Sequence, residues 1–281
     1  MDASQTKPAI GLTLSSEEHG PNELVDLAVR AEELGFDFVS ISDHFHPWVP
    51  QQGHSPFVWA VLGAIASRTS VLDVGVGVTC PIVRMHPAIV AHAAATAGCL
   101  LPGRFTFGVG TGEALNEHVT GEPWPPADVR LAMLDEAISV MRQLWTGESV
   151  THRGRYYTVE NATIYDRPDE PFPMLVSAFG EEAASLAAVS GDGLWLTGTG
   201  GDPIERWRAE GGTGPVWSQL TFSWDPDVDV ARQRAAELWP NTAVVGQLSQ
   251  DLPTTAHFEM ATAHIDADTI ADELPCGPDP A

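Results

Sequence analysis

Three short segments concentrate the residues able to do chemistry. The first is Ser42-Asp-His-Phe-His-Pro-Trp48. His44 can exchange a proton near neutral pH, which suits a general base acting on an alcohol. Asp43 is placed either to hold that imidazole or to cap the next turn, and Trp48 offers a flat wall for a ring system. A satisfied packing histidine is the plainer reading of His44, and spacing leaves both open. The second segment is Gly108-Val-Gly-Thr-Gly-Glu-Ala-Leu-Asn-Glu117. Its glycines let the backbone approach a ligand closely, and Thr111 and Glu113 then point into the same mouth. It is not a dinucleotide fingerprint: counted from Gly108, the third glycine position holds Glu113. The plainer reading is a tight strand-to-helix turn. Glu113 beside His44 would form a carboxyl–imidazole acid–base arrangement. The third segment, Ser177-Ala-Phe-Gly-Glu-Glu-Ala183, puts Gly180 at a helix start, where free backbone N–H groups suit a phosphate. Glu181 and Glu182 are equally at home as ordinary first-turn acids. His86 and His92 fall at a helix start and on its flank and are given no chemistry. The sequence has no zinc-spaced cluster, no Walker A motif and no G-x-S-x-G elbow.

The elements that must carry these segments alternate, β-rich runs with helical stretches, as in a parallel sheet with helical crossovers. Strands are expected at 9–14, 38–42, 71–78, 104–109, 174–178, 193–197 and 216–224. Helices are expected at 23–34 (with Asn22 as N-cap), 57–67, 86–101, 129–145, 181–190, 204–210 and 228–239. All three chemical segments then lie at the carboxyl ends of strands, where barrel active sites are built. The segment 148–165 breaks the rhythm, and its alternation around Gly154 predicts an inserted hairpin. The stretch 241–281 is polar, with weak helical runs at 255–264 and 268–273. With 281 residues, no internal repeat and no linker, one domain spanning 1–281 is the economical organisation.

Composition narrows the partners. Thirty-eight acids face fourteen bases, a net charge of −24. Lys7 is the sole lysine. Such a surface repels nucleic acid and anionic membranes and points to small-molecule substrates. Its lysine-poor acidity is what a halophilic, salt-screened protein would carry. No apolar run is long enough for a membrane span, and no signal peptide is legible at the N-terminus. Cys80, Cys99 and Cys276 form no CxxC pair or disulfide framework, so buried thiols and a cytoplasmic location are expected.

Taken in this order, the segments resemble the bacterial-luciferase-like superfamily, and within it the F420-dependent glucose-6-phosphate dehydrogenase family. The likeness runs from about Ile10 to Trp239. It is densest at the two long motifs above and at Met141-Arg-Gln-Leu-Trp-Thr-Gly147, which precedes Tyr156-Tyr157. It implies a (β/α)8 TIM barrel of the luciferase-like type and a hydride-transferring oxidoreductase. The cofactor it implies is the deazaflavin coenzyme F420, lying across the barrel mouth against Asp43, His44, Val78, Thr111, Gly112 and Glu113. It implies His44 as the base, Glu113 as proton donor to the ring, and Trp48 as stabiliser of the intermediate and part of the substrate pocket. Glu17 is implied as a further substrate-pocket carboxylate, and Gly180 with Glu181 as the coenzyme's phosphate site. A homodimer is the expected assembly. The likeness also places a non-proline cis peptide at Gly77–Val78, within a bulge ending strand three.

Two departures set further expectations. The sugar dehydrogenases grip a substrate phosphate with lysines and an arginine. Here the sixth strand exit reads Thr197-Gly-Thr-Gly-Gly201, and Asp272-Glu273 stand where a basic pair is expected. A phosphate dianion without countercharge is costly to bury, so a small alcohol or sugar-like substrate other than a sugar phosphate is expected. The pattern also supplies seven strands, so a barrel truncated before its eighth strand is expected. Its gap would be lined by Ile10, Leu12, Leu220 and Phe222. An FMN-dependent monooxygenase and a non-catalytic coenzyme-binding fragment are the competing readings.

Overall fold

In the computed structural model, residues 7–198 and 201–278 are described. Seven parallel strands form one sheet that wraps into a nearly closed barrel. In chain order they are β1 (Gly11–Leu14), β2 (Phe38–Ile41), β3 (Asp73–Thr79), β4 (Phe105–Val109), β7 (Met174–Ser177), β8 (Gly193–Thr197) and β9 (Val216–Gln219). Strand β5 (Val150–Arg153) pairs antiparallel with β6 (Thr158–Ala162) as the predicted hairpin. Helices α1 (Pro21–Leu34), α2 (Val58–Arg68), α3 (Pro87–Leu100), α5 (Ala127–Trp145), α6 (Glu181–Ser190), α7 (Asp202–Ala209) and α8 (Val228–Leu238) follow the strands. A short α4 (Ala114–Glu117) interrupts the β4 exit. The late polar stretch folds into α9 (Gln247–Asp251), α10 (Thr255–Ala261) and 3-10 turns.

The layer between the sheet and its helices is built largely from β-branched residues that the sheet's pleat sends outward. Val39, Ile41, Val74, Val76, Phe107, Val109, Met174 and Val176 are buried in one cluster with the inner faces of α1, α2, α3 and α5. Trp195 and Trp217 lie with centroids 5.0 Å apart, and Phe38 packs 4.2 Å from Trp217. These large rings need bare backbone opposite them. Side chains at Gly75 or Gly77 of β3 would run into Trp217 and Trp195. That close approach is what glycine permits here.

The hairpin is pinned by one carboxylate. Glu136 of α5 accepts the backbone N–H groups of Arg155, Tyr156 and Tyr157 and lies 3.1 Å from His152 Nε2. Burial would raise its carboxyl, but these partners, led by the Tyr157 N–H, hold it below the ordinary value.

Several boundaries differ from expectation. Helix α1 begins at Pro21, with Gly20 rather than Asn22 at the N-cap position, because proline's fixed φ suits the first helical residue. Strand β1 starts at Gly11, and β9 stops at Gln219 because its neighbour β8 ends at Thr197. Beyond it, a parallel bridge joins Ser223 to Cys276, and the late stretch supplies no further strand among the described residues. Strands β1 and β9 do not pair. Of the expected gap residues, Ile10, Leu220 and Phe222 are exposed, whereas Leu12 is half-buried against the main core. The cysteines are free, but only Cys80 is buried. Cys99 is exposed near the end of α3, and Cys276 is half-buried in the bridge itself. Thr199 and Gly200 of the sixth strand exit lie outside the described residues.

Candidate active site

The carboxyl ends of β1 to β4 gather most of the expected residues. Glu17 follows β1 and is 2% exposed. Its carboxylate accepts from Ser42 Oγ at 2.7 Å, and from Ser15 and Ser16 hydroxyls at 3.3 Å. Oε1 also lies 2.6 Å from His44 Nδ1, an ion pair in which hydrogen bonding and charge both favour the imidazolium. Burial alone would lower the imidazole's pKa. The Glu17 carboxylate outweighs it, with Glu113 and Asp43 behind, and raises it to about 9. Glu17 moves the other way: burial raises it, but His44 and Ser42 bring its carboxyl below the ordinary value. The pair therefore rests as imidazolium and carboxylate at neutral pH.

This corrects the expected pairing of His44 with Glu113. Strand β1 is the hydrogen-bonded neighbour of β2, whereas β4 stands two strands away, so Glu17 reaches the ring and Glu113 acts through charge at longer range. Asp43 does not hold the imidazole either. It is buried, with Oδ2 accepting from Thr79 Oγ1 at 2.8 Å and Oδ1 from Arg84 at 2.9 Å.

Trp48 meets His44 edge-on at 5.2 Å and is backed by Phe258 of α10, also at 5.2 Å. The polar late stretch thus reaches the site through one buried ring, together with Val49 and Leu115. At the end of β3 the Gly77–Val78 peptide is cis, and the pairing with β4 shifts register between Val76 and Thr79, as expected for the bulge. Val78 packs over Gly108 and Gly110, where added side chains would crowd it. Thr111, Gly112 and Glu113 are half-buried on the same rim. Gly112 has φ +67, a conformation that favours glycine. Gly180 and Glu181 stand exposed on the β7 exit, at the N-terminus of α6, with open space above the glycine.

Three residues of the site were missed. Asn116 Oδ1 accepts the N–H groups of Phe45 and His46 at 2.9 and 3.0 Å, while its Nδ2 is buried without a partner. Arg84 joins Asp43 to Glu117. Burial raises the Glu117 carboxyl to about 7, against the pull of Arg84. Asn116 and Glu117 lie one helical turn beyond Glu113, which was a readable signal for a shared face; Arg84 offered none. An unpartnered buried donor beside a half-buried glycine turn fits a planar, acceptor-rich ring of the flavin type. Among the described residues no cluster of metal-ligating side chains is present.

The luciferase-like monooxygenase family profile matches residues 4–278. The chain belongs to this family. An F420-dependent glucose-6-phosphate dehydrogenase of Intrasporangium calvum is 51% identical over 191 residues, covering 67% of this chain and 57% of the relative. One from Gordonia bronchialis is 37% identical over 281 residues, covering 95% and 80%. The chain thus spans little more than half the length of the first of these relatives. A solved F420-dependent secondary alcohol dehydrogenase, in complex with an F420-acetone adduct, matches with a TM-score of 0.90 and 34% identity. That match covers 98% of this chain and 87% of the other.

Proposed function

We propose that the protein is an F420-dependent oxidoreductase acting on a small uncharged alcohol and its carbonyl counterpart. The observation that carries this is the Glu17–His44 ion pair beside Trp48, facing a half-buried glycine turn. Val78, Thr111, Gly112 and Asn116 would hold the deazaflavin ring, and Gly180 with Glu181 its phosphate; Asp43, its carboxylate spent on Thr79 and Arg84, would support that wall from behind. Bound there, the coenzyme supplies hydride donation and acceptance.

The chain's own residues handle the proton. Glu17 engages His44 Nδ1, which leaves Nε2 for the substrate oxygen. As an imidazolium, His44 gives a proton to a carbonyl that is being reduced. For alcohol oxidation it must first lose that proton, so His44 serves as base only toward alkaline pH. Glu113 would exchange a proton with the ring, and Trp48 would close the substrate side.

Charge supports an uncharged substrate. Asp272 and Glu273 are exposed acids. Arg84 is spent on Asp43 and Glu117, and buried Arg130 donates to the Pro125 carbonyl and to Gln250. The names of the curated relatives argue the other way, so the substrate needs a direct test. Purified protein is titrated with F420, followed by ring fluorescence, then assayed with secondary alcohols, ketones and glucose 6-phosphate. Binding of F420 and turnover of alcohols or ketones support the reading. Preferred turnover of glucose 6-phosphate overturns the substrate, and retention of yellow FMN in place of F420 overturns the coenzyme.

A further inference from the structure

One buried cluster beside the proposed site has no part yet in the reaction. Arg84 lies in the turn between β3 and α3, with its side chain 6% exposed. Its NH2 group donates to Asp43 Oδ1 at 2.9 Å and to the Asp43 backbone carbonyl at 3.1 Å. Its Nε reaches Glu117 Oε1 at 3.3 Å, and its own backbone N–H donates to Glu117 Oε2 at 2.9 Å. Thr79, also from the β3 exit, takes the remaining Asp43 oxygen. One guanidinium therefore ties the β2 exit to the β4 exit across the β3 exit. Asp43 directly precedes His44, and Glu117 lies one helical turn after Glu113.

Stability alone is a weak account of such a cluster. Two buried carboxylates and a guanidinium carry a desolvation cost that well-packed apolar residues would avoid. What the planar fork adds is geometry: two carboxylates and a main-chain carbonyl are held in fixed relation, which a flexible ammonium cannot reproduce. Holding the Asp43 carbonyl also fixes the chain immediately before the imidazole.

We propose that Arg84 is a positioning residue, setting the relative placement of His44 and Glu113 by clamping Asp43 and Glu117. The proposal rests on the oxidoreductase reading, with Arg84 touching neither substrate nor coenzyme. Its signature is a loss in kcat with KM and coenzyme affinity largely kept, because geometry matters most in the transition state.

The test uses the full chain with F420, comparing wild type, Arg84→Lys and Glu117→Gln. Arg84→Lys keeps the charge and loses the fork. It should lower kcat at least tenfold, while KM and the coenzyme Kd stay within about threefold. Glu117→Gln keeps the shape and weakens one arm of the clamp. It should lower kcat three- to tenfold with KM unchanged, and it carries the test if Arg84→Lys fails to fold. Wild-type kcat in either folded variant, or KM rising in step with the fall in kcat, overturns the proposal. A wild type that binds no F420 overturns the oxidoreductase reading first, so the two failures are distinct.

Discussion

Replacing Glu17 with Gln keeps the shape at the β1 exit and removes the charge facing His44. In the native site the imidazole titrates at about 9 against an ordinary 6.5. That gap corresponds to roughly 3 kcal/mol in favour of the imidazolium. With the carboxylate gone, burial becomes the leading influence on His44 and its pKa should fall to 6.5 or below. At pH 7 the neutral, base-competent imidazole is then the majority form, against about one part in a hundred in the native pair. The assay is the pH dependence of kcat in both directions with saturating coenzyme. In wild type, ketone reduction should hold up to about pH 9 and alcohol oxidation should rise through the same midpoint. In Glu17→Gln both midpoints should move to pH 6.5 or lower. The gain in oxidation at pH 7 should be smaller than the gain in neutral imidazole, because a weaker base transfers protons less well. Stability offers a second readout with a definite sign. A histidine with raised pKa contributes fully below its unfolded value, and the contribution fades as pH climbs through the folded one. A carboxylate with lowered pKa contributes above its unfolded value and loses that contribution as pH falls. The variant's deficit should thus be largest near pH 5.5–6.5 and shrink toward pH 9–10. An unmoved kinetic midpoint in Glu17→Gln would refute the claim that Glu17 sets the protonation of His44.

Three further outcomes are expected. His44→Ala should lose most of kcat, by 100-fold or more as befits a proton-transfer group, while the coenzyme Kd measured by fluorescence changes little; unchanged kcat removes His44 from the mechanism. Glu136→Ala strips the hairpin's N–H groups of their acceptor and should cost about 2–3 kcal/mol in urea unfolding; a loss below about 0.5 kcal/mol would mean that water replaces the carboxylate. With a net charge of −24, the melting temperature should rise between dilute and molar potassium chloride, as self-repulsion is screened; a flat or falling trend ends the salt-adapted reading.

The alternation of strands and helices was legible because short apolar runs and 3.6-residue periodicity are local properties, and so was the hairpin around Gly154. Placing Ser42–Trp48 and Gly108–Glu117 at strand exits followed from the same local reading. The bulge at Val78 came from the family likeness, since neither glycine nor valine announces a cis peptide. Local patterns failed where two segments distant in sequence had to be matched. Glu17 and His44 are 27 residues apart and meet because β1 and β2 pair in register, Leu14 opposite Ile41. Phe258 backs Trp48 from a stretch whose polarity suggested no core. Arg84 reads as an ordinary turn residue until the β2 and β4 exits bring Asp43 and Glu117 to it. Residue type and spacing determine which groups are able to titrate and which segments form strands. Which carboxylate faces which cation depends on strand order and register, and the protonation state of each buried group follows from that proximity.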